Sequence, residues 1–123
     1  MILLRELLSV RDIAFKGTAV AGYPLITVVD NFRVYKGASL YGSPLYTVVG
    51  NKIFKGMATS GSPLATLVGD LLYKGIAVSG MPIARLYGIK SFKGIAVSGS
   101  PLVTVPSQNV VTLMAATYHM LQS

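Results

Sequence analysis

Cysteine is missing from this chain of 123 residues, and acids are scarce, four Asp and Glu against eleven Lys and Arg. Without cysteine there is neither a disulfide nor a thiolate metal site, and the redox compartment stays open. Charged residues make up 12% of the chain, against roughly 25% in an ordinary globular protein. Long uninterrupted apolar runs are also lacking. The longest stretch free of Lys, Arg, Asp and Glu starts at Gly94, and Gly99, Pro101 and Pro106 prevent it from forming a single helix. Arg5 and Glu6 interrupt residues 1–8, which therefore make a poor secretory signal. The expected location is cytoplasmic or membrane-peripheral.

The groups that perform covalent chemistry are nearly absent as well. His119 is the only histidine, and the acids are Glu6, Asp12, Asp30 and Asp70. No two acids are spaced as a carboxylate pair, and no His or acid cluster matches a metal-ligand pattern. Phosphate-loop and nucleophile-elbow motifs are also missing. The sequence predicts no catalytic residues, no metal and no cofactor, and nothing in it points to a small-molecule substrate.

What is present is repetition. Lys-Gly recurs at Lys16-Gly17, Lys36-Gly37, Lys55-Gly56, Lys74-Gly75 and Lys93-Gly94, each time after an aromatic: Phe15, Tyr35, Phe54, Tyr73 and Phe92. Gly-x-Pro follows at a fixed offset, from Gly22-to-Pro24 through Gly99-to-Pro101. The step is 20 residues once and 19 three times, with the extra residue near Asp30-Asn31-Phe32. Three features holding register through five copies define units at about 13–31, 32–50, 51–69, 70–88 and 89–106 of a single domain.

Each unit reads as two short strands, of the types Ile53–Thr59 and Leu64–Val68, rich in β-branched and aromatic residues and bounded by Gly and Pro. Gly50-Asn51, Gly69-Asp70 and Asp30-Asn31 suit tight hairpins, and Gly88-Ile89 is a weaker version. Upstream, Leu7–Ile13 aligns as a remnant second strand and turn, with a short helix over 2–8 as the competing reading. Alternation along the first strand puts Phe54, Gly56 and Ala58 on one face and Lys74, Ile76 and Val78 on the other. A face of Gly and Ala repeated five times predicts that something packs closely against it. The stretch Ser107–Leu121 supplies a candidate: it reads as a helix apolar nearly all round, with Ser107 as N-cap. At about 15 residues it is roughly 22 Å long, short for a bilayer span.

Ten strands spaced about 4.8 Å apart and tilted about 40° close at a radius of roughly 10 Å, which accommodates one helix. The expected fold is all-β: an up-and-down antiparallel barrel of about ten short strands from five two-strand repeats, closed around its C-terminal helix. A β-solenoid is the rival, disfavoured by turns that reverse the chain within a sheet.

The Gly-x-Pro-Leu-x-Thr pattern, continued by Val-Gly and an aromatic four residues on, is carried by Gly42–Phe54 and Gly61–Tyr73. It resembles the repeat of the β-flower proteins, shallow symmetric barrels of hairpin petals. The barrel-plus-apolar-helix plan is also similar to the tubby C-terminal fold and the phospholipid scramblases, a resemblance that implies binding to phosphoinositide membranes. The chain has five copies of the unit and fewer strands than the tubby barrel.

The one candidate site is a ring of Lys16, Lys36, Lys55, Lys74 and Lys93 able to engage anionic groups, weighed against lysines that merely keep an apolar face soluble. With a net charge of +7, three functions are open: a self-associating structural module working through an apolar, basic outer face; a peripheral module binding anionic phospholipid; and nucleic-acid binding, ranked last because the cations are evenly spread.

Overall fold

A computed structural model describes residues 11–122. The upstream strand or helix expected before residue 11 lies outside the described residues, but Arg11 and Asp12, expected in a turn, are paired strand. The elements are β1 (Arg11–Lys16), β2 (Ile26–Val29), β3 (Arg33–Lys36), β4 (Tyr46–Val49), β5 (Lys52–Lys55), β6 (Ala65–Val68), β7 (Leu71–Lys74), β8 (Ala84–Tyr87), β9 (Lys90–Lys93), β10 (Val103–Thr104) and α1 (Val110–Gln122). All neighbours are antiparallel, and β1 pairs with β10 to close the barrel. The ten-strand barrel is therefore as expected, and a solenoid is excluded.

Successive strands are joined alternately by tight turns and by nine-residue loops, residues 17–25, 37–45, 56–64, 75–83 and 94–102. These loops are the petals, and all five leave from the same end of the barrel. At the other end, Gly50, Gly69 and Gly88 take φ of 62°, 64° and 65° as the first turn residue, as a type II′ hairpin turn requires. The first hairpin turns through Asp30 and Asn31, both at positive φ, and absorbs the extra residue at Phe32.

The inner face differs from the expected one. The strands stop at the lysines, and Gly56 (φ 60°) starts the petal turn in which the Ala58 amide donates to the Lys55 carbonyl at 3.1 Å. All thirteen glycines have positive φ. A Cβ added at Gly56 would meet nothing within 4 Å. Apart from Gly37, where an added Cβ would meet the Tyr23 hydroxyl at 2.9 Å, the glycines are there for their backbone conformation, not to admit a close neighbour.

Register fixes the faces, because directly opposed residues share one. Lys36 opposes Ile26, Lys74 opposes Ala65, Lys93 opposes Ala84 and Lys16 opposes Val103. All four partners belong to the core. The lysines thus continue the inner face at its rim. The aromatics Phe15, Tyr35, Phe54, Tyr73 and Phe92 lie on the outer face, yet are only 3–7% exposed. Four of them oppose threonines whose hydroxyls donate to the first glycine of a petal: Thr27 to Gly37 O, Thr47 to Gly56 O and Thr66 to Gly75 O at 2.7 Å, and Thr104 to Gly17 O at 2.6 Å.

Inside, the ring of Ala14, Val34, Ile53, Leu72 and Ser91 packs with the helix. Seven consecutive helix residues, Thr112–Tyr118, are buried, which only a helix enclosed on all sides allows. The helix packs most closely on β1 and β10, where small residues (Ala14, and Ser91 on β9) permit approach, while Ile53 and Leu72 fill the far side. It begins later than expected. The N-cap is Asn109, whose Oδ1 accepts from the Val111 amide at 2.9 Å, and Ser107 instead donates to Asp12.

Candidate functional site

β10 runs away from the petals, so α1 runs back toward them. Its C-terminal end emerges at the petal mouth, where His119 and Leu121 line grooves beside Lys36 and Lys93. This is where the five predicted lysines come together. Each is the last residue of an odd-numbered strand, each is exposed, and all stand at one rim. Because they continue the inner face, they encircle the helix terminus and oppose its partial negative charge.

The two ends of the barrel differ in their acids more than in their cations. Among the described residues, the petal end has the five lysines and no acid. The turn end and its adjoining strand faces hold Arg11, Arg33, Lys52, Arg85 and Lys90, partly offset by Asp12, Asp30 and Asp70. Arg85 replaces the threonine of the other repeats and lies 3.7 Å from Asp70. Asp12 is committed to the helix N-terminus, accepting from both Ser107 and Thr112.

The petals also carry the most exposed large apolar side chains of the described residues. Tyr23, Tyr41 and Met81 are 81–82% exposed, and Met57, Ile76, Val78 and Ile95 stand out similarly. Sequence alternation assigned Ile76 and Val78 to a strand face beside Lys74. They are petal residues instead, and the clue was the Gly-x-Pro that follows them, which needs a loop before it.

Two grooves of about 450 Å³ open between petals at this rim. One is lined by Lys74, Met81, Ile83, Lys93 and Leu121. The other has the equivalent repeat positions Tyr23, Leu25 and Lys36, closed by His119. Beside it the Tyr46 hydroxyl meets His119 Nδ1 at 2.9 Å, and Tyr46 stands edge-on to Tyr118 at 5.5 Å. Burial, and secondarily Lys36, lower the His119 pKa. Burial, and secondarily Tyr118, raise that of Tyr46. At neutral pH this cluster is an uncharged hydrogen-bonded plug at the helix end. The contact of His119 with Tyr46, 73 positions away, has no signal in the sequence.

No group of three or more His, Asp or Glu among the described residues could hold a metal. No described helix is long and apolar enough to cross a membrane. Comparison with curated proteins and with solved structures found no match. The family model described as "6-fold beta flower protein" matches residues 15–121. The described barrel closes with five two-strand units where that description has six. With the match spanning nearly all of the barrel and its helix, the chain belongs to the 6-fold beta flower family.

Proposed function

We propose that this structural repeat module docks by its petal end on anionic phospholipid surfaces. The observation that carries this reading is the coincidence, at one end of the barrel, of five lysines unaccompanied by any described acid and a crown of exposed apolar side chains. A lysine held near an anionic membrane contributes about 1 kcal/mol. The petal tips supply apolar area that a bilayer interface can bury and bulk water cannot.

Self-association through the petal ends has less support, because two copies meeting there would oppose ten lysines. On the outer strand faces, Val49, Val68 and Tyr87 are exposed but interspersed with Arg33, Lys52 and Lys90. A nucleic acid would use the lysines and could stack on Tyr23 and Tyr41, but has no use for the aliphatic Ile76, Val78 and Ile95 of the crown.

Vesicle flotation tests the reading. The protein should float with vesicles containing phosphatidylserine and not with pure phosphatidylcholine. Replacing all five lysines by Gln should abolish flotation. Equal binding to both vesicle types, or undiminished binding by the five-fold variant, would sink the proposal.

A further inference from the structure

We propose that the groove lined by Lys74, Met81, Ile83, Lys93 and Leu121 holds a single anionic phospholipid, its phosphate between the two lysines and one acyl chain against the apolar wall. This deepens the docking reading and rests on the same petal end. At about 450 Å³ the groove falls in the range of small-ligand sites. It cannot take a folded partner.

Its lining is divided in the way an amphiphile is divided. Two cations stand on the strand side, at the ends of β7 and β9, while Met81, Ile83 and Leu121 supply the apolar part. The C-terminal turn of α1 reaches the groove through Leu121 and Gln122 and brings carbonyl dipoles of the wrong sign for an anion. A bare phosphate therefore gains little there. An anion that keeps to the lysine side and lays a hydrocarbon on the floor gains from both.

The five repeats are not equivalent in this respect. The wall position occupied by Met81 is Ser43, Ser62 and Ser100 in three repeats and Tyr23 in the remaining one. The Tyr23 groove has one lysine among its lining residues, together with Ser39 and His119, so it offers one cation fewer. Met81 is 82% exposed, so its size answers no packing need within the barrel.

The test is a methyl and amide NMR titration with dihexanoyl phosphatidate, kept below its micelle concentration. Saturable shifts should be confined to Met81, Ile83, Gly94 and Leu121. Lys93→Gln and Met81→Ser should each weaken binding about tenfold. Because both side chains are exposed, the variants should fold normally. Shifts spread equally over all five petals would overturn the proposal, as would the same shifts from inorganic phosphate or from dihexanoyl phosphatidylcholine at equal concentration. If the soluble lipid fails while anionic vesicles still bind, the groove is refuted and membrane docking stands. If the groove titrates while vesicles do not bind, the groove stands as a site for a free anionic amphiphile and the docking reading falls.

Discussion

Asp12 on β1 and Thr112 on α1, a hundred positions apart, are joined by a hydrogen bond of 2.7 Å from the threonine hydroxyl to the carboxylate. The same carboxylate oxygen accepts from Ser107 at 2.6 Å. One acid therefore fastens the helix N-terminus to the first strand. Asp12→Ala should destabilise the protein by about 1–3 kcal/mol in urea unfolding, because two donors lose their acceptor and the helix loses a favourable negative charge. Asp70→Asn, which removes the 3.7 Å ion pair between an exposed carboxylate and the half-buried Arg85, should change stability by less than about 1 kcal/mol. Equal effects would contradict this division.

The petal glycines give a second expectation. Gly56 sits at φ 60° with open space where a Cβ would be. Strain alone should therefore rank its substitutions. Gly56→Asn should be mild and Gly56→Val should cost about 1–2 kcal/mol, since Asn tolerates the left-handed region and a β-branched residue does not. Equal penalties from the two would show that some neighbour, not the backbone, excludes the side chain.

Ser91 yields a third, which runs against the repeat consensus. The equivalent positions are Ala14, Val34, Ile53 and Leu72, yet Ser91 is fully buried and its hydroxyl is hydrogen-bonded to that of Thr117 at 2.6 Å. Ser91→Leu would make the fifth unit resemble the fourth. It should nevertheless destabilise by about 1–3 kcal/mol, because the helix already fills that space. A gain in thermal stability would mean that the helix does not pack there.

His119 sets a pH dependence. Its pKa is lowered in the folded state by burial and by Lys36, so between that value and the unfolded value near 6.5 the unfolded chain binds more protons. Stability is then fully present above about pH 6.5 and declines as pH falls through the folded pKa. On protonation Nδ1 can only donate, so the Tyr46 hydroxyl must then accept in their hydrogen bond. His119→Gln should flatten the unfolding free energy as pH falls below about 6.5. A slope unchanged by that substitution would assign the effect elsewhere.

Much of the architecture was legible in the residues. The Lys-Gly and Gly-x-Pro registers specify five two-strand units, the Gly-Asn and Gly-Asp turns require reversal, and a helix apolar all round requires an enclosing barrel. The direction of the faces was not legible, because both faces of these strands are buried. Ile53 packs inside and Phe54 is covered outside, so alternation carries no polar mark to tell them apart. Extending the strand through Gly56 then placed the glycines inside and the lysines outside. Only the register Lys36 to Ile26 corrects this. The five lysines themselves were read from the repeat, and their shared height follows from each ending a strand. The grooves could not be read, since they depend on where Leu121 and His119 emerge.

The sequence contains no tryptophan, so a single introduced indole reports on its own position. Tyr41→Trp marks a petal tip and Tyr87→Trp the opposite end, where each tyrosine is already exposed. With anionic vesicles containing brominated lipid, the Trp at position 41 should shift to the blue and be quenched, while the Trp at position 87 keeps its emission. Quenching at position 87 without quenching at 41 would contradict the orientation on which the docking proposal rests.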